Sequence, residues 1–462
     1  MVCTPRRLTC ALLGLLALHP ACAPREVSLG TISSDAGGDA GAEVGAPASW
    51  IAIVPGEGDQ AVSAVAFGPD DQIIVAGQQP GTDPDEASTD VFVAAFARTN
   101  GTARWRMPVP GRDFGWDDEV ATMFSADASS VSVAGTYRTE SQDSIGFIDS
   151  VSSTGAVTKS STPLNPSCVA GIPCDPTLTH RLLTARPAAD DLAVGGILWT
   201  VESAPLPWFN GPVPSDSNGW GFVGVVRNGL PLWARSQGDR FIRSVSSVTW
   251  LPDGLLVAAS GSDSAVSDDA DRPPWLWLLK FNSAGEMVLA RSFRSSEGVV
   301  HPRLALTSAG PVVVGGFAGR FAIDGLPALI TSRPQDTFVL ALNPDLSPRW
   351  LQSLGGNDLV EGGHDVLATA AGDVIVACGA CAVVDADEDQ GVPGLVRLGV
   401  DGQRKALQRW SSTGVVQVRA MAAQGNDLLI GGSFTNQLTI GVGQQATATD
   451  GQDGFVLRVP QP

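Results

Sequence analysis

From Ser49 onward the apolar residues fall into short runs that close on glycine. They read "IIVAG" (73–77), "VSVAG" (131–135), "LAVGG" (192–196), "LLVAASG" (255–261), "VVVGG" (312–316), "VIVACG" (374–379) and "LLIGG" (428–432). A second run follows each: "DVFVAAF" (90–96), "SIGFID" (144–149), "GWGFVGVV" (219–226), "PWLWLLKF" (274–281), "DTFVLAL" (336–342), "PGLVRLG" (393–399) and "DGFVLRV" (453–459). Short, nearly continuous apolar runs bounded by turn residues are strands buried on both faces, too brief for core helices. After most second runs comes a tight turn and a tryptophan strand, as in "TNGTARW" (99–105), "RNGLPLW" (227–233), "NPDLSPRW" (343–350) and "VDGQRKALQRW" (400–410).

With a strand ahead of each glycine run, such as "VSAVAF" (62–67), the unit has four strands and occurs in seven copies. Seven four-stranded antiparallel sheets stacked radially predict an all-β, seven-bladed β-propeller. Neighbouring blades cover both faces of each sheet, which explains why the inner strands read as apolar runs instead of alternating. The seventh copy stops at "DGFVLRVPQP" without a last strand, while "SWIAIVPG" (49–56) stands alone at the other end and matches "WRMPVPG" (105–111) in register. The N-terminal strand is therefore expected to complete the last blade, closing the ring and removing two exposed sheet edges.

These copies resemble the SBBP repeat, a propeller repeat of exported bacterial proteins. The resemblance covers about residues 49–460, with departures: unit two has "TGAVTKSS" (154–161) where a tryptophan strand is expected, and unit six has Leu395 in place of phenylalanine. It implies an exported propeller and leaves ligand and chemistry open. The composition fits: 53 Gly and 32 Pro serve many turns. A formal charge of −19 argues against a basic face for nucleic acid or anionic lipid.

Residues 1–22 read as an export signal, with Arg6 and Arg7 ahead of an apolar stretch from Leu8 to Leu18 that is too short to span a bilayer. "HPAC" (19–22) resembles a lipobox ending in a lipid-bearing Cys22, although Leu18 stands one place early and Pro20 is unusual. The competing cut after Ala21-Cys22-Ala23 would leave Pro24 at the new N-terminus, which signal peptidases handle poorly. Cys22 is thus expected to anchor the chain in a Gram-negative envelope, in the periplasm or at the outer membrane. Residues 23–48, rich in Gly, Ala, Asp and Ser, form a tether too poor in large apolar side chains to order itself. The propeller occupies 49–462.

In this topology the first-to-second and third-to-fourth strand turns are short, whereas the second-to-third loops are long: 78–89, 197–218, 262–273, 380–392 and 433–452. They share a face with the connections between blades, so recognition of a protein, peptide or glycan is expected there. Trp199, Trp208, Phe209 and Trp220 lie among prolines and suit a binding surface, or else fold back over the third blade. Cys168 with Cys174, and Cys378 with Cys381, are close pairs that suggest local disulfides in an exported protein. Asp385, Asp387 and Asp389 offer oxygens at alternate positions for calcium. The glycine, Gly391, comes one place late and no glutamate follows, which favours a solvated acidic loop. His180, His301 and His364 stand near first-strand starts in separate blades, where separate roles are the simpler reading than one metal site.

No catalytic motif appears: "GWGFVG" (219–224) sits inside a strand with no helix after it. The expectation is a monomeric, non-catalytic binding or structural module without a cofactor; the alternative is an envelope hydrolase or lyase working at the axial channel mouth. Mass spectrometry of the exported protein checks the processing. A lipidated Cys22 terminus with Cys168–Cys174 and Cys378–Cys381 bridged is expected, and a soluble chain starting at Pro24 contradicts the anchor.

Overall fold

The computed structural model describes residues 49–81, 89–109, 119–125, 129–138, 144–161, 178–188, 191–200, 220–227, 230–236, 242–261, 275–331, 335–355, 364–381, 392–441 and 444–462. They fall in one compact unit, Ala46–Pro462, built of seven antiparallel sheets. Blade one runs Ala61–Gly68, Gln72–Pro80, Thr89–Ala97 and Ala103–Pro108, and the others repeat this order of strands a to d from axis to rim. The seven a strands start at Ala61, Glu119, Leu178, Ile242, Val299, His364 and Val416. Each contacts the next, and the last contacts the first, so the ring is closed.

Closure is by the N-terminal strand. Trp50–Ile53 pairs antiparallel with the last strand, Trp50 opposite Arg458 and Ile53 opposite Phe455. A charge cluster reinforces this seam. Asp427, at the start of strand b in blade seven, is buried and takes Arg458 Nη2 from its own sheet at 2.9 Å and Arg98 Nη2 from blade one at 2.6 Å. Burial alone would raise the Asp427 carboxyl, but the hydrogen bonds and charges of the two guanidiniums prevail and hold it below its ordinary value.

The recurring tryptophan has a physical role that links one blade to the next. Trp50 Nε1 donates to the Arg98 carbonyl at 3.0 Å, Trp105 to Ser153 at 2.7 Å and Trp350 to Val400 at 2.9 Å. Each acceptor belongs to the c–d turn of the following blade. The indole lies flat on that turn's glycine, at left-handed φ: Gly101 under Trp50, Gly155 under Trp105, Gly285 under Trp233 and Gly402 under Trp350. A Cβ at Gly101 would come within 2.5 Å of the Trp50 ring, so the turn needs glycine for both its backbone and its bare surface.

The exceptions follow the same logic. Blade four carries Leu289 where blades one, three, five and seven carry tryptophan, and the next turn carries Leu346, at φ 63°, where the turns under those tryptophans carry glycine. The two leucines share one apolar cluster and Leu346 is buried, so the larger turn residue fills what the smaller strand residue leaves open. In blade six the matching position is Ala406, and the last blade has no c–d turn because its outer strand is the N-terminal Trp50–Ile53; Arg397 Nη1 instead reaches the Pro462 carbonyl at 2.8 Å.

Two expectations need correction. Trp410 is not part of a tryptophan strand: strand d of blade six is Arg404–Arg409, and Trp410 turns inward to the core of blade seven. Its backbone N–H is taken by Pro393 O, which ends the ladder. The segment 433–452 is not a loop throughout, since strands Asp427–Thr439 and Gln445–Pro460 continue as one long hairpin. Phe434, Leu438, Ile440 and Ala446 are buried along it, so the apolar side chains hidden under a Thr- and Gln-rich surface extend the sheet.

The leucine exchange yields a double-mutant prediction. Leu289→Trp alone should overpack against Leu346 and cost about 1–3 kcal/mol. Combined with Leu346→Gly, which vacates the turn, it should cost less than the sum of the two single changes in urea unfolding. Additive costs contradict the clasp.

Candidate functional site

Every described addition to the four-stranded plan lies on the face of the b–c loops and blade connections. Between strands b and c of blade five, Arg320–Ala322 and Leu329–Ile330 form a small hairpin that reaches back to blade four, where Ser295 pairs with Phe321 and Arg294 with Ala322. The hairpin is pinned by Phe321, fully buried with its ring 4.8 Å from Phe338 and 5.9 Å from Phe317. Ile330, opposite Arg320 at the open end of this hairpin, is 75 % exposed. In blade seven the extended hairpin receives Ser411–Ser412 from the preceding connection, paired with Thr439 and Leu438.

On the same face, at the entry to strand c, blades three and four repeat an arginine-on-tryptophan stack. Arg243 lies over Trp220 with Cζ 4.7 Å from the ring centroid, and Arg294 lies over Trp275 at 3.9 Å. Trp220 is buried and Trp275 half-buried, so the guanidinium planes cover the rings. Such stacks hold a cation in a fixed orientation.

A second group of charges sits at the axis. Arg303 and Asp365 occupy matching positions on the a strands of blades five and six. Arg303 Nη1 donates to the Ser246 carbonyl of blade four at 3.2 Å. Asp365 accepts from its neighbour Val366 N at 2.9 Å and from Met421 N of blade seven at 2.7 Å. Ser247 does the same one seam earlier, accepting Leu304 N at 3.1 Å. Most a strands carry a β-bulge, and these side chains satisfy backbone N–H groups that irregular pairing leaves over. The charge of Arg186, exposed near the end of the a strand of blade three, lowers both Arg303 and Asp365 slightly. Burial pushes the Asp365 carboxyl up, with Arg303 and the two N–H groups opposing, and burial also lowers Arg303.

Of the residues singled out by sequence, Trp220 is placed as described, and Cys378 is buried and disulfide-bonded. The side chains of Trp199, Cys381, His180 and His364 lie outside the described residues, as do Cys22, Cys168, Cys174, Trp208, Phe209, Asp385, Asp387 and Asp389. His301 is exposed at φ 49° on the a strand of blade five. Among the described residues no group of three or more His, Cys, Asp or Glu could hold a metal ion. Sequence reasoning missed Arg98, Asp427, Arg186, Arg303 and Asp365. The one available signal was an aspartate opening several glycine runs: Asp191, Asp373 and Asp427 each bind an arginine of strand c, namely Arg227, Arg397 and Arg458.

No protein-family model and no curated protein sequence matches the chain. Among solved structures, it is similar to the α-L-arabinofuranosidase Arb93A of Fusarium graminearum in complex with an iminosugar inhibitor, at 9 % identity and TM-score 0.41, covering 87 % of this chain and 93 % of that one. It is also similar to the β-propeller domain of the Trilobed protease of Pyrococcus furiosus, at 8 % identity and TM-score 0.43, covering 90 % and 96 %. A third is Drosophila Plexin A in complex with Semaphorin 1b, at 9 % and 0.45, covering 89 % and 86 %. Identities of this size speak to fold alone.

The raised Asp365 carboxyl has a pH consequence. A carboxyl that holds its proton more tightly folded than unfolded weakens folding as pH rises past its unfolded value of about 4. The stability of Asp365→Asn relative to the parent should therefore increase between pH 4 and pH 7 in urea titrations. A pH-independent difference contradicts the assignment.

Proposed function

We propose that this propeller is a non-catalytic binding module that takes a protein, peptide or glycan on the b–c loop face. One observation carries the reading: the described additions to the repeat lie on that face, whereas the described turns of the opposite face are short hairpin turns. A scaffold that repeats its structural turns and varies one rim resembles a recognition surface on a rigid support. The exposed Ile330 and the Arg294–Trp275 stack supply apolar area and an oriented cation on the same sheet. The export signal, the lipobox-like "HPAC" and the SBBP-like repeat support an envelope protein anchored at Cys22, with 23–48 holding the propeller off the membrane.

The axial Arg186, Arg303 and Asp365 favour a second reading, an envelope hydrolase or lyase at the channel. Against it, Asp365 spends its oxygens on main-chain N–H groups of two blades, which is the work of a structural residue.

The test is binding of the full exported protein to arrays of peptides and envelope glycans, repeated with Trp275→Ala and Ile330→Asp. Binding that falls about tenfold or more in both variants, a loss of about 1.4 kcal/mol, supports the module. Binding indifferent to both changes, or turnover of a hydrolase or lyase substrate, contradicts it.

A further inference from the structure

Gln60, just ahead of strand a of blade one, is a buried polar side chain with nothing to bond to. It is 1 % exposed, and neither the Oε1 nor the Nε2 of its carboxamide has a hydrogen-bond partner among the described residues. Native folds pair almost all such groups, so an orphaned amide calls for a ligand or a water. Its main chain is fixed, since Gln60 N donates to the Gln452 carbonyl of blade seven at 2.8 Å. Beside it lies a second unspent group. Arg106, on strand d of blade one, lays its guanidinium over Phe92 with Cζ 4.7 Å from the ring centroid, and gives Nη2 to Gln79 Oε1. Its Nε is buried without a partner, and burial lowers the guanidinium with no carboxylate opposing. The acids nearby in the chain do not serve it: Glu57 is exposed, and Asp59 accepts Gln452 N at 2.9 Å. Gln79 stands near the end of strand b and Phe92 near the start of strand c, so the pair borders the b–c loop of blade one.

The amide and the guanidinium meet at one point. A Cβ added at Gly56 would stand 2.6 Å from Arg106 Nη1 and 2.8 Å from Nη2, and nearer still to Gln60 Nε2. Gly56 is exposed in the connection from the closing strand to blade one, which is held at its start by Val54 N on the Gly454 carbonyl at 2.9 Å. Residues 55–58 make no hydrogen bond to the described residues, and two of the four are glycine, Gly58 at φ 69°. They form a strap that lies on both groups, satisfies neither, and can lift without breaking a ladder. Glycine at 56 keeps the donors clear, because any side chain there would lie on them. The donor set then selects the occupant. Arg106 and Gln60 Nε2 offer N–H groups to a singly charged oxyanion, which a carboxylate matches. Gln60 Oε1, on the same amide, needs an N–H next to that carboxylate. The last residue of a peptide brings both, its carboxylate and its own amide N–H one α-carbon away. A sugar acid would be served by an open aromatic face, and the Phe92 ring is already covered by Arg106. Given the loop face as the binding surface proposed above, we infer that Gln60 and Arg106 hold the C-terminal carboxylate of a peptide partner beneath the strap 55–58, at the seam of blades seven and one.

Isothermal titration of the full chain with N-acetyltriglycine tests this, with two controls. Its C-terminal amide lacks the carboxylate, and acetate lacks the neighbouring N–H. The free acid is expected to bind about tenfold or more tighter than either. Gln60→Glu sets an internal carboxylate against Arg106, so it should abolish binding while leaving the fold at least as resistant to urea. Gly56→Ala, whose methyl would lie on the donors, should weaken binding about tenfold or more, and Arg106→Gln should do the same. Arg104→Ala, on the same strand where Arg104 donates to the Asp70 carbonyl, should leave it unchanged. Circular dichroism of each variant confirms that the ring is intact. No heat from the free acid, which would leave Gln60 to a water alone, overturns the site. So does equal binding of acid and amide, or Gln60→Glu and Arg106→Gln variants that bind like the parent. Array binding lost in Trp275→Ala and Ile330→Asp would still support the loop face after such a result, so the two failures are told apart.

Discussion

The structure depends on four residue pairs between Trp50–Ile53 and Phe455–Arg458. Stacked blades alone form an open arc with an unpaired sheet edge at blade seven, and nothing in an arc fixes the distance from the first blade to the last. Pairing the two ends of the chain turns the arc into a ring, in which every blade has a neighbour on both faces. Trp50 then has a turn to cover, Arg98 meets Asp427 across the seam, and the a strands surround an axis. The charges at that axis are brought together by closure, since their residues are far apart in the sequence.

Closure and repetition share one chemistry. The Trp–Gly contact between strand d and the next c–d turn recurs at the first-to-second, third-to-fourth and fifth-to-sixth seams, and at the closing seam. The N-terminal strand docks with the same tryptophan that the internal strands use. At the fourth-to-fifth seam, where the tryptophan is absent, the turn changes with it, Leu346 facing Leu289. The seam is thus specified by complementary volume and by one indole N–H, and it is set by the face opposite the long loops. That division leaves the loop face free to vary without weakening the ring.

The sequence was most informative where the repeat constrains it. Glycine-ended runs, tryptophans four residues after a turn glycine and an orphan first strand each report a contact that recurs, so several copies carry one message. Legibility fell where a contact occurs once. Phe321 reaches back to blade four from an insertion that has no counterpart in other units, and its burial depends on Phe317 and Phe338 together. Trp410 carries the residue type of the clasp but sits too far along strand d, so type misled where register would have decided. The long hairpin of blade seven hides its apolar positions among Thr and Gln. Asp365 and Arg303 look ordinary in the chain, and their meaning comes from the circle that places them side by side.

Amide hydrogen exchange across the closing strand tests the central claim most directly. If the ring is held as described, the paired amides of Phe455–Arg458 and Trp50–Ile53 exchange only with the opening of the whole propeller, at the free energy measured for global unfolding. Exchange of the N-terminal strand and its partner at a much lower free energy, with the other blades still protected, would mean that the two ends are not joined and that the ring stands without them.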